Sequence, residues 1–207
     1  MATQEKIDLF RTHKDEYAAP KSPILVDVQE GIYLTIEGRG APGGAEFTAK
    51  VGALYGVAYT IKMTRRFAGE QDYVIGKLEA QWWGEKEGVA FEQLPMEKWN
   101  WTLLIRTPGL VGKHELKQAV SALLDKGKQR EVAQVRLEKM AEGKCIQMLH
   151  VGPYERESDT IAQMKEFADR EGLAPVGKHH EIYLSDPRRI PPERLKTILR
   201  MPVVCRD

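Results

Sequence analysis

Cysteine is scarce in this sequence of 207 residues, and its two copies, Cys145 and Cys205, stand far apart. A disulfide framework needs several cysteines, and a zinc site needs CxxC or CxxH spacing, so neither is indicated. The five histidines form no HxxxH or HExxH group, and no serine or cysteine stands in a GxSxG setting. The sequence therefore predicts no metal site, no cofactor and no covalent nucleophile.

Net charge and long apolar runs are also lacking. Lysine and arginine number 31 against 30 aspartates and glutamates, so no overall field attracts nucleic acid or an anionic membrane. No stretch approaches about 20 apolar residues, and the first residues lack the apolar core of a signal peptide. We therefore expect a soluble cytoplasmic protein with neither a nucleic-acid nor a membrane partner.

An internal repeat is the main organising feature of the chain. Residues 30–40 resemble residues 142–152, since each segment begins with Glu-Gly and has a second glycine nine positions later. Extended runs at 24–28 and 135–140 precede the two Glu-Gly pairs, so each copy is predicted to open with a β-hairpin. A helical pattern follows in each copy, and then two further extended runs, at 73–83 and 99–107 in the first copy and at 179–185 and 195–201 in the second.

This order predicts an α+β fold of duplicated hairpin, helix and hairpin units, with antiparallel sheets, pseudo-twofold symmetry and a central ligand cleft between the copies. We divide the chain into a polar N-terminal extension, a first repeat, a linking amphipathic helix and a second repeat, at residues 1–22, 23–111, 112–128 and 129–207. Ser158, Asp159 or Thr160 is expected to cap the helix of the second repeat.

One carboxylate of the second repeat stands in an unusual setting. Alternation along the strand from His179 predicts that His180 and Ile182 pack under a helix, whereas Glu181 and Tyr183 face the cleft. A buried carboxylate is costly without a partner, so Glu181 is either a ligand-binding or catalytic group or one half of an ion pair. Three basic residues could supply that ion pair: Lys178, Arg188 and Arg200.

All four tryptophans fall on two predicted strands of the first repeat, which also place Glu79 as the counterpart of Glu181. These tryptophans are Trp82, Trp83, Trp99 and Trp101. An aromatic core explains whichever of the adjacent pair points to the helix, and the other offers a flat wall for planar or cationic ligands. In the second repeat, Tyr154 follows Gly152 and Pro153, either as a ligand donor or as a cap on the junction of helix and sheet.

Several motifs of the second repeat resemble the GyrI-like small-molecule-binding family. They are His150-Val151-Gly152-Pro153-Tyr154, Asp169 to Leu173, His180 to Pro187, Pro191 to Thr197 and Met201-Pro202-Val203. The family is similar to the effector-binding domains of AraC- and MerR-type multidrug regulators. This resemblance implies a pocket glutamate at Glu181, Tyr154 as a second pocket residue, and a small aromatic or cationic ligand.

Stand-alone proteins of this family are similar to hydrolases that open the cyclopropane of cyclopropanoid alkylating toxins. That likeness implies Glu181 as the base that activates water, Tyr154 or Tyr183 as donor, and the four tryptophans as walls around a flat ligand. Two other functions stay open. One is a non-catalytic protein that sequesters aromatic or cationic drugs, and the other is a protein-partner module such as a gyrase inhibitor.

Overall fold

The computed structural model describes residues 5–84, 93–128 and 130–206. Its helices are α1 (Leu9–Thr12), α2 (Ala45–Phe67), α3 (Lys113–Asp125) and α4 (Glu157–Arg170). Its strands are β1 (Ile24–Val28), β2 (Gly31–Arg39), β3 (Leu78–Trp83), β4 (Asn100–Thr107), β5 (Arg136–Met140), β6 (Gly143–Val151), β7 (Leu173–Pro175), β8 (His179–Tyr183) and β9 (Lys196–Cys205). In the part of the chain that these ranges cover, no helix is both long and apolar enough to cross a membrane.

The chain divides into two compact units that interleave along the sequence. The first unit comprises Met1–Thr12, Gly31–Gly76 and Trp82–Met140, and the second comprises His13–Glu30, Lys77–Gln81 and Ala141–Asp207. The strand pairs in the order β4-β2-β5 of the first unit and in the order β1-β6-β9-β8 of the second are antiparallel. The expected α+β class with antiparallel sheets is confirmed.

Helix α2 forms the core of the first unit together with strands β2 and β4. Its buried residues recur at steps of three and four, which aligns one stripe of the helix with the sheet. That stripe comprises Ala53, Leu54, Val57, Ala58 and Ile61. One close approach requires glycine, because a side chain at Gly38 would meet the ring of Trp101 on the paired strand.

The core of the second unit lies between α4 and strands β6 and β9. Three helix residues, Ile161, Met164 and Ala168, pack against Met148 of β6 and Leu199 of β9. Burying aliphatic side chains of this size stabilises a fold by roughly 1.5–3 kcal/mol each. This cluster also identifies which face of the sheet α4 covers.

The opening hairpin expected in each repeat is wrong. Strand β1 pairs with β6, and β5 pairs with β2. The first strand of each repeat is therefore paired with the second strand of the other repeat. A two-residue hairpin turn needs a left-handed backbone, whereas no described residue other than glycine has a positive φ. Gln29 and Glu30 therefore do not form that turn, and neither do Ala141 and Glu142. The repeat itself persists in the pairing, since Val28 faces Gly143 just as Gly31 faces Met140.

Two smaller expectations also change. Helix α4 begins at Glu157 and has Arg156 as its N-cap, with no side-chain cap hydrogen bond, so the expected caps lie inside the first turn. Strand β7 pairs with β9 although no extended run was predicted there. Its three residues are too few to show a period in the sequence.

Candidate functional site

Strand β8 carries Glu181 into the interior of the second unit. Glu181 pairs with Leu199 of β9, and Leu199 packs against α4, so Glu181 lies on the α4 face of the sheet. His180 pairs with Arg200 and lies on the opposite face. The expectation that His180 and Ile182 pack under the helix is thus wrong, because both faces of β8 are buried and alternation of polarity could not distinguish them.

Glu181 is 8% exposed and is held by its neighbours on the same strand. The hydroxyl of Tyr183 donates to its Oε2 over 2.6 Å, and Nε2 of His179 lies 3.5 Å from its Oε1. Arg200, one of the bases that could have formed an ion pair with Glu181, contacts Glu142 at 2.9 Å instead. Glu181 is therefore oriented by a phenol rather than neutralised by Arg200.

A second carboxyl group, that of Glu157, joins this site from the first turn of α4. The carboxyl group of Glu157 lies close enough to that of Glu181 for the two to interact electrostatically. Burial, and then the negative charge of Glu181, raises the pKa of Glu157 well above its usual range. Two adjacent carboxyl groups cannot both ionise cheaply in a dry site, and the raised pKa identifies Glu157 as the one that keeps its proton.

Two tyrosines complete the site. The rings of Tyr154 and Tyr183 meet edge to face with centroids 5.9 Å apart. Burial, assisted by the charge of Glu181, raises the pKa of Tyr154 to about 12, and burial likewise raises the pKa of Tyr183. Both phenols therefore keep their protons at neutral pH and act as donors.

Local backbone geometry explains the position of Tyr154. Gly152 has φ 145°, a left-handed conformation that L side chains rarely adopt, and Pro153 then begins the short turn that leads into α4. The chain reverses there between β6 and the helix. Tyr154 and Glu157 leave the same turn three residues apart, which brings both to the β8 side chains.

In the first unit, three of the four tryptophans form one aromatic cluster with Phe47 of α2. Trp82 stacks on Phe47 with centroids 5.9 Å apart, and Trp101 meets Phe47 edge-on at 5.1 Å. Trp99 contacts Trp82 at 5.7 Å and donates its indole N–H to the carbonyl of Leu94. Trp82 and Trp101 are buried core residues, as expected for a ring that points to the helix.

Trp83 follows Trp82 on β3, so its side chain points to the opposite face of that strand. Glu79 shares that face and lies 3.0 Å from His180, so it is not the structural counterpart of Glu181. The tryptophans belong to the first unit and the Glu181 site to the second. A cleft shared by both groups stays a prediction.

Sequence reasoning missed Glu157 and Phe47. Glu157 escaped attention because the helix was expected to start after it, although an acidic residue in the first turn is favoured by the helix dipole. Phe47 was not identified as a partner of the tryptophans. Both omissions concern residues whose role depends on a partner distant in the sequence.

The site as described offers a defined set of groups. It provides a carboxylate at Glu181, a neutral carboxylic acid at Glu157 and phenol donors at Tyr154 and Tyr183. Cys145 is the buried cysteine of the same unit, and burial raises the pKa of its thiol to about 12, which makes it a poor nucleophile. The arrangement suits proton transfer to and from a bound molecule rather than covalent catalysis.

Comparison with known proteins gives a consistent picture. The sequence model of the GyrI-like small molecule binding domain matches residues 83–204. Among solved structures, an uncharacterized conserved protein from Listeria innocua is 39% identical, with 96% of this chain and 100% of that chain covered and a TM-score of 0.89. A hydrolase from Listeria innocua is 37% identical over the same shares, with a TM-score of 0.85.

The C-terminal domain of EcmrR is 10% identical and covers 89% of this chain and 98% of its own, with a TM-score of 0.59. That likeness concerns the fold alone. No curated protein matches the chain.

Proposed function

Because this chain belongs to the GyrI-like small-molecule-binding family, we propose that it hydrolyses an electrophilic small molecule at Glu181 and Glu157. This membership confirms the resemblance drawn from the motifs of the second repeat. The inference of hydrolysis, rather than binding alone, is supported by one feature of the site. The buried carboxyl group of Glu181 lies beside that of Glu157, which is also buried and keeps its proton. A relative 37% identical to this chain is described as a hydrolase, which supports the same proposal.

The substrate class we propose is a flat molecule with a cyclopropane conjugated to a carbonyl group. Glu181 accepts a proton from water while the water oxygen bonds to a ring carbon. The strained carbon–carbon bond breaks, and its electron pair moves through the conjugated system to the carbonyl oxygen, which takes a proton from Glu157. Turnover leaves the proton on Glu181 and the charge on Glu157, and transfer between these adjacent carboxyl groups restores the starting state.

The tyrosines have distinct roles in this scheme. Tyr183 orients Glu181 through the 2.6 Å hydrogen bond to Oε2, and the other oxygen, Oε1, which Nε2 of His179 approaches to 3.5 Å, is proposed to accept the proton from water. Tyr154 makes no such bond to Glu181, so its phenol is the donor that stabilises charge developing on the substrate oxygen. Trp83 and Trp99, the two tryptophans outside the buried core, are proposed to stack against the flat ring system, whereas the contacts with Phe47 hold Trp82 and Trp101 in the core.

The proposal is tested by incubating the purified protein with a cyclopropanoid alkylator in ¹⁸O-labelled water and following the water adduct by mass spectrometry. General base catalysis contributes on the order of 10²–10⁴-fold, so Glu181→Gln should lose turnover by that factor. Glu157→Gln should lose turnover as well, because an amide cannot donate the required proton. The exposed neighbour Glu155 provides the matched control, since Glu155→Gln leaves both carboxyl groups in place.

Full turnover by Glu181→Gln would exclude Glu181 as the base. Turnover by the wild type without ¹⁸O in the product would exclude attack by water.

One observation favours a second candidate function, the sequestration of cationic aromatic ligands without turnover. Besides burial, three carboxylates near Tyr154 help to raise its pKa, and together they create a negative local field. These carboxylates belong to Glu181, Asp186 and Glu155. A thermal-shift screen should then show stabilisation by cationic dyes that Glu181→Ala abolishes, with no product formed, and equal stabilisation by anionic dyes would contradict this function.

A further inference from the structure

A buried ionic cluster occupies the face of β8 opposite Glu181. Nδ1 of His180 lies 2.9 Å from Oε2 of Glu142, and its Nε2 lies 3.0 Å from Oε2 of Glu79. Nη1 of Arg200 lies 2.9 Å from the same oxygen of Glu142. None of these four side chains is more than 4% exposed, so the cluster is sealed from solvent.

This geometry favours a positively charged His180. Each ring nitrogen lies within 3.0 Å of a carboxylate oxygen, and negative charge on both sides of the ring stabilises its doubly protonated, cationic form. The charges of the four groups then cancel, with Glu79 and Glu142 balanced by His180 and Arg200. Removing the proton from His180 would leave one negative charge in excess, which costs several kcal/mol in a buried site.

A segment near the N-terminus, residues 13–20, contacts this cluster, and we call it the strap. Arg200 donates to the carbonyl of Glu16 over 2.7 Å, and Gln147 donates to the carbonyls of Glu16 and Ala18 over 3.1 and 2.5 Å. The hydroxyl of Tyr17 donates to Oε1 of Glu79 over 3.3 Å. The strap is thus held mainly by the charged and polar groups beneath it.

We propose that the positive charge of His180 keeps the strap closed, so that the strap opens as the pH rises into the alkaline range. An uncompensated Glu79 carboxylate needs hydration, and the strap residue Tyr17 covers that carboxylate, so water reaches it when the strap detaches. The proposal concerns the face of the sheet opposite Glu181 and does not depend on hydrolysis.

The groups that face His180 determine the pH range of the opening. They are Glu79 of β3, Glu142 before β6 and Arg200 of β9, with Tyr17 of the strap beyond Glu79. Burial lowers the pKa of His180, but the charges and hydrogen bonds of Glu142 and Glu79 outweigh it and raise the pKa from 6.5 to about 9.

A group whose folded pKa is raised stabilises the closed state fully below its ordinary pKa, and this stabilisation is lost as the pH rises through the folded value. The opening constant of the strap should therefore increase between pH 6.5 and about 9, by at most about tenfold per pH unit.

Limited proteolysis of the full chain with trypsin tests this proposal, because Lys14 and Lys21 lie within and just after the strap. Cleavage rates at these sites are measured between pH 7 and 9 and divided by the rates for a free peptide of the same sequence. We expect the ratio to rise several-fold per pH unit in the wild type. In His180→Gln, which cannot carry the charge, the ratio should be high at pH 7 and independent of pH.

His150 offers a matched control, since it is a second buried histidine of the same unit and contacts Thr160 and the carbonyl of Pro153 instead of carboxylates. His150→Gln should keep the pH profile of the wild type. A wild-type ratio that does not change between pH 7 and 9 would overturn the proposal, as would a steep profile in His180→Gln.

If His180→Gln does not fold, NMR titration of the histidine rings in the wild type tests the proposal instead. Ionisation of His180 at an ordinary pH near 6.5, without a change in the Tyr17 resonances, would overturn the proposal. Ionisation near pH 9 together with a change at Tyr17 would support it.

Discussion

Neighbouring residues of β8 illustrate two ways of burying carboxyl groups in one sheet. On the face of His180, each carboxylate lies beside a cation, and the charges of Glu79, Glu142, His180 and Arg200 cancel. On the face of Glu181, two carboxyl groups meet and one of them, Glu157, remains protonated. A balanced cluster stabilises a structure that has one arrangement, whereas an acid beside a carboxylate can exchange protons with a ligand. We therefore assign a structural role to the first face and a chemical role to the second.

The largest effect on stability is expected when the charge balance on the face of His180 is disturbed. Glu142→Gln leaves His180 and Arg200 without their shared carboxylate, and uncompensated buried charge costs about 3–5 kcal/mol. Urea unfolding at pH 7 should show a loss of that size. Glu166→Gln on the exposed face of α4 is the control and should change the free energy of unfolding by less than about 0.5 kcal/mol. A loss below about 1 kcal/mol in Glu142→Gln would contradict the structural role.

Removing one hydrogen bond on the second face should have a smaller effect. Tyr183→Phe deletes the phenol that donates to Glu181, and hydrogen bonds to charged groups contribute about 1.5–3 kcal/mol. The free energy of unfolding should fall within that range. Tyr154→Phe, which removes the hydroxyl of the other ring in the pair, should cost less, and equal losses in both variants would show that Glu181 does not rely on Tyr183.

The proton held by Glu157 should make the free energy of unfolding depend on pH. A carboxyl group with a raised folded pKa binds a proton on folding, so its contribution is full at low pH and declines as the pH rises above about 4.3. Between pH 6 and 9 the wild type should therefore lose stability more steeply than Glu157→Gln, by at most about 1.4 kcal/mol per pH unit. Parallel urea-unfolding profiles for the two proteins would show that Glu157 is ionised in the folded state.

The smallest effect is expected where the strap meets the first face. Tyr17→Phe removes a hydroxyl that lies 3.3 Å from Glu79, at the long end of hydrogen bonding. The free energy of unfolding should fall by about 0.5 kcal/mol, and trypsin cleavage after Lys14 should accelerate slightly at pH 7. A loss as large as that of Glu142→Gln would place Tyr17 among the residues that hold the cluster together.

Much of the fold was predictable because it depends on local patterns. The apolar steps of three and four residues predicted one helix in each repeat and one between the repeats, where α2, α4 and α3 lie. Antiparallel strands and the α+β class followed from the order of these elements. Strand partners were not predictable, because pairing β1 with β6 rather than β2 depends on turn geometry that a Glu-Gly pair only suggests.

The candidate site was predictable in part for the same reason. Glu181, Tyr183 and Tyr154 were identified from their strand and turn positions and from the family resemblance, and the structure brings them together. Glu157 was not identified, because its significance depends on contact with a residue 24 positions away. The ionic cluster around His180 was missed because its members come from four separate segments.

The sequence by itself determined the class of the fold, the repeat and the glutamate most worth testing, because each can be inferred from the spacing of residues along the chain. Tertiary structure alone decided which face of β8 each side chain occupies. It also decided which carboxyl group keeps its proton, since ionisation depends on burial and on the charges of neighbours that folding brings within a few ångströms.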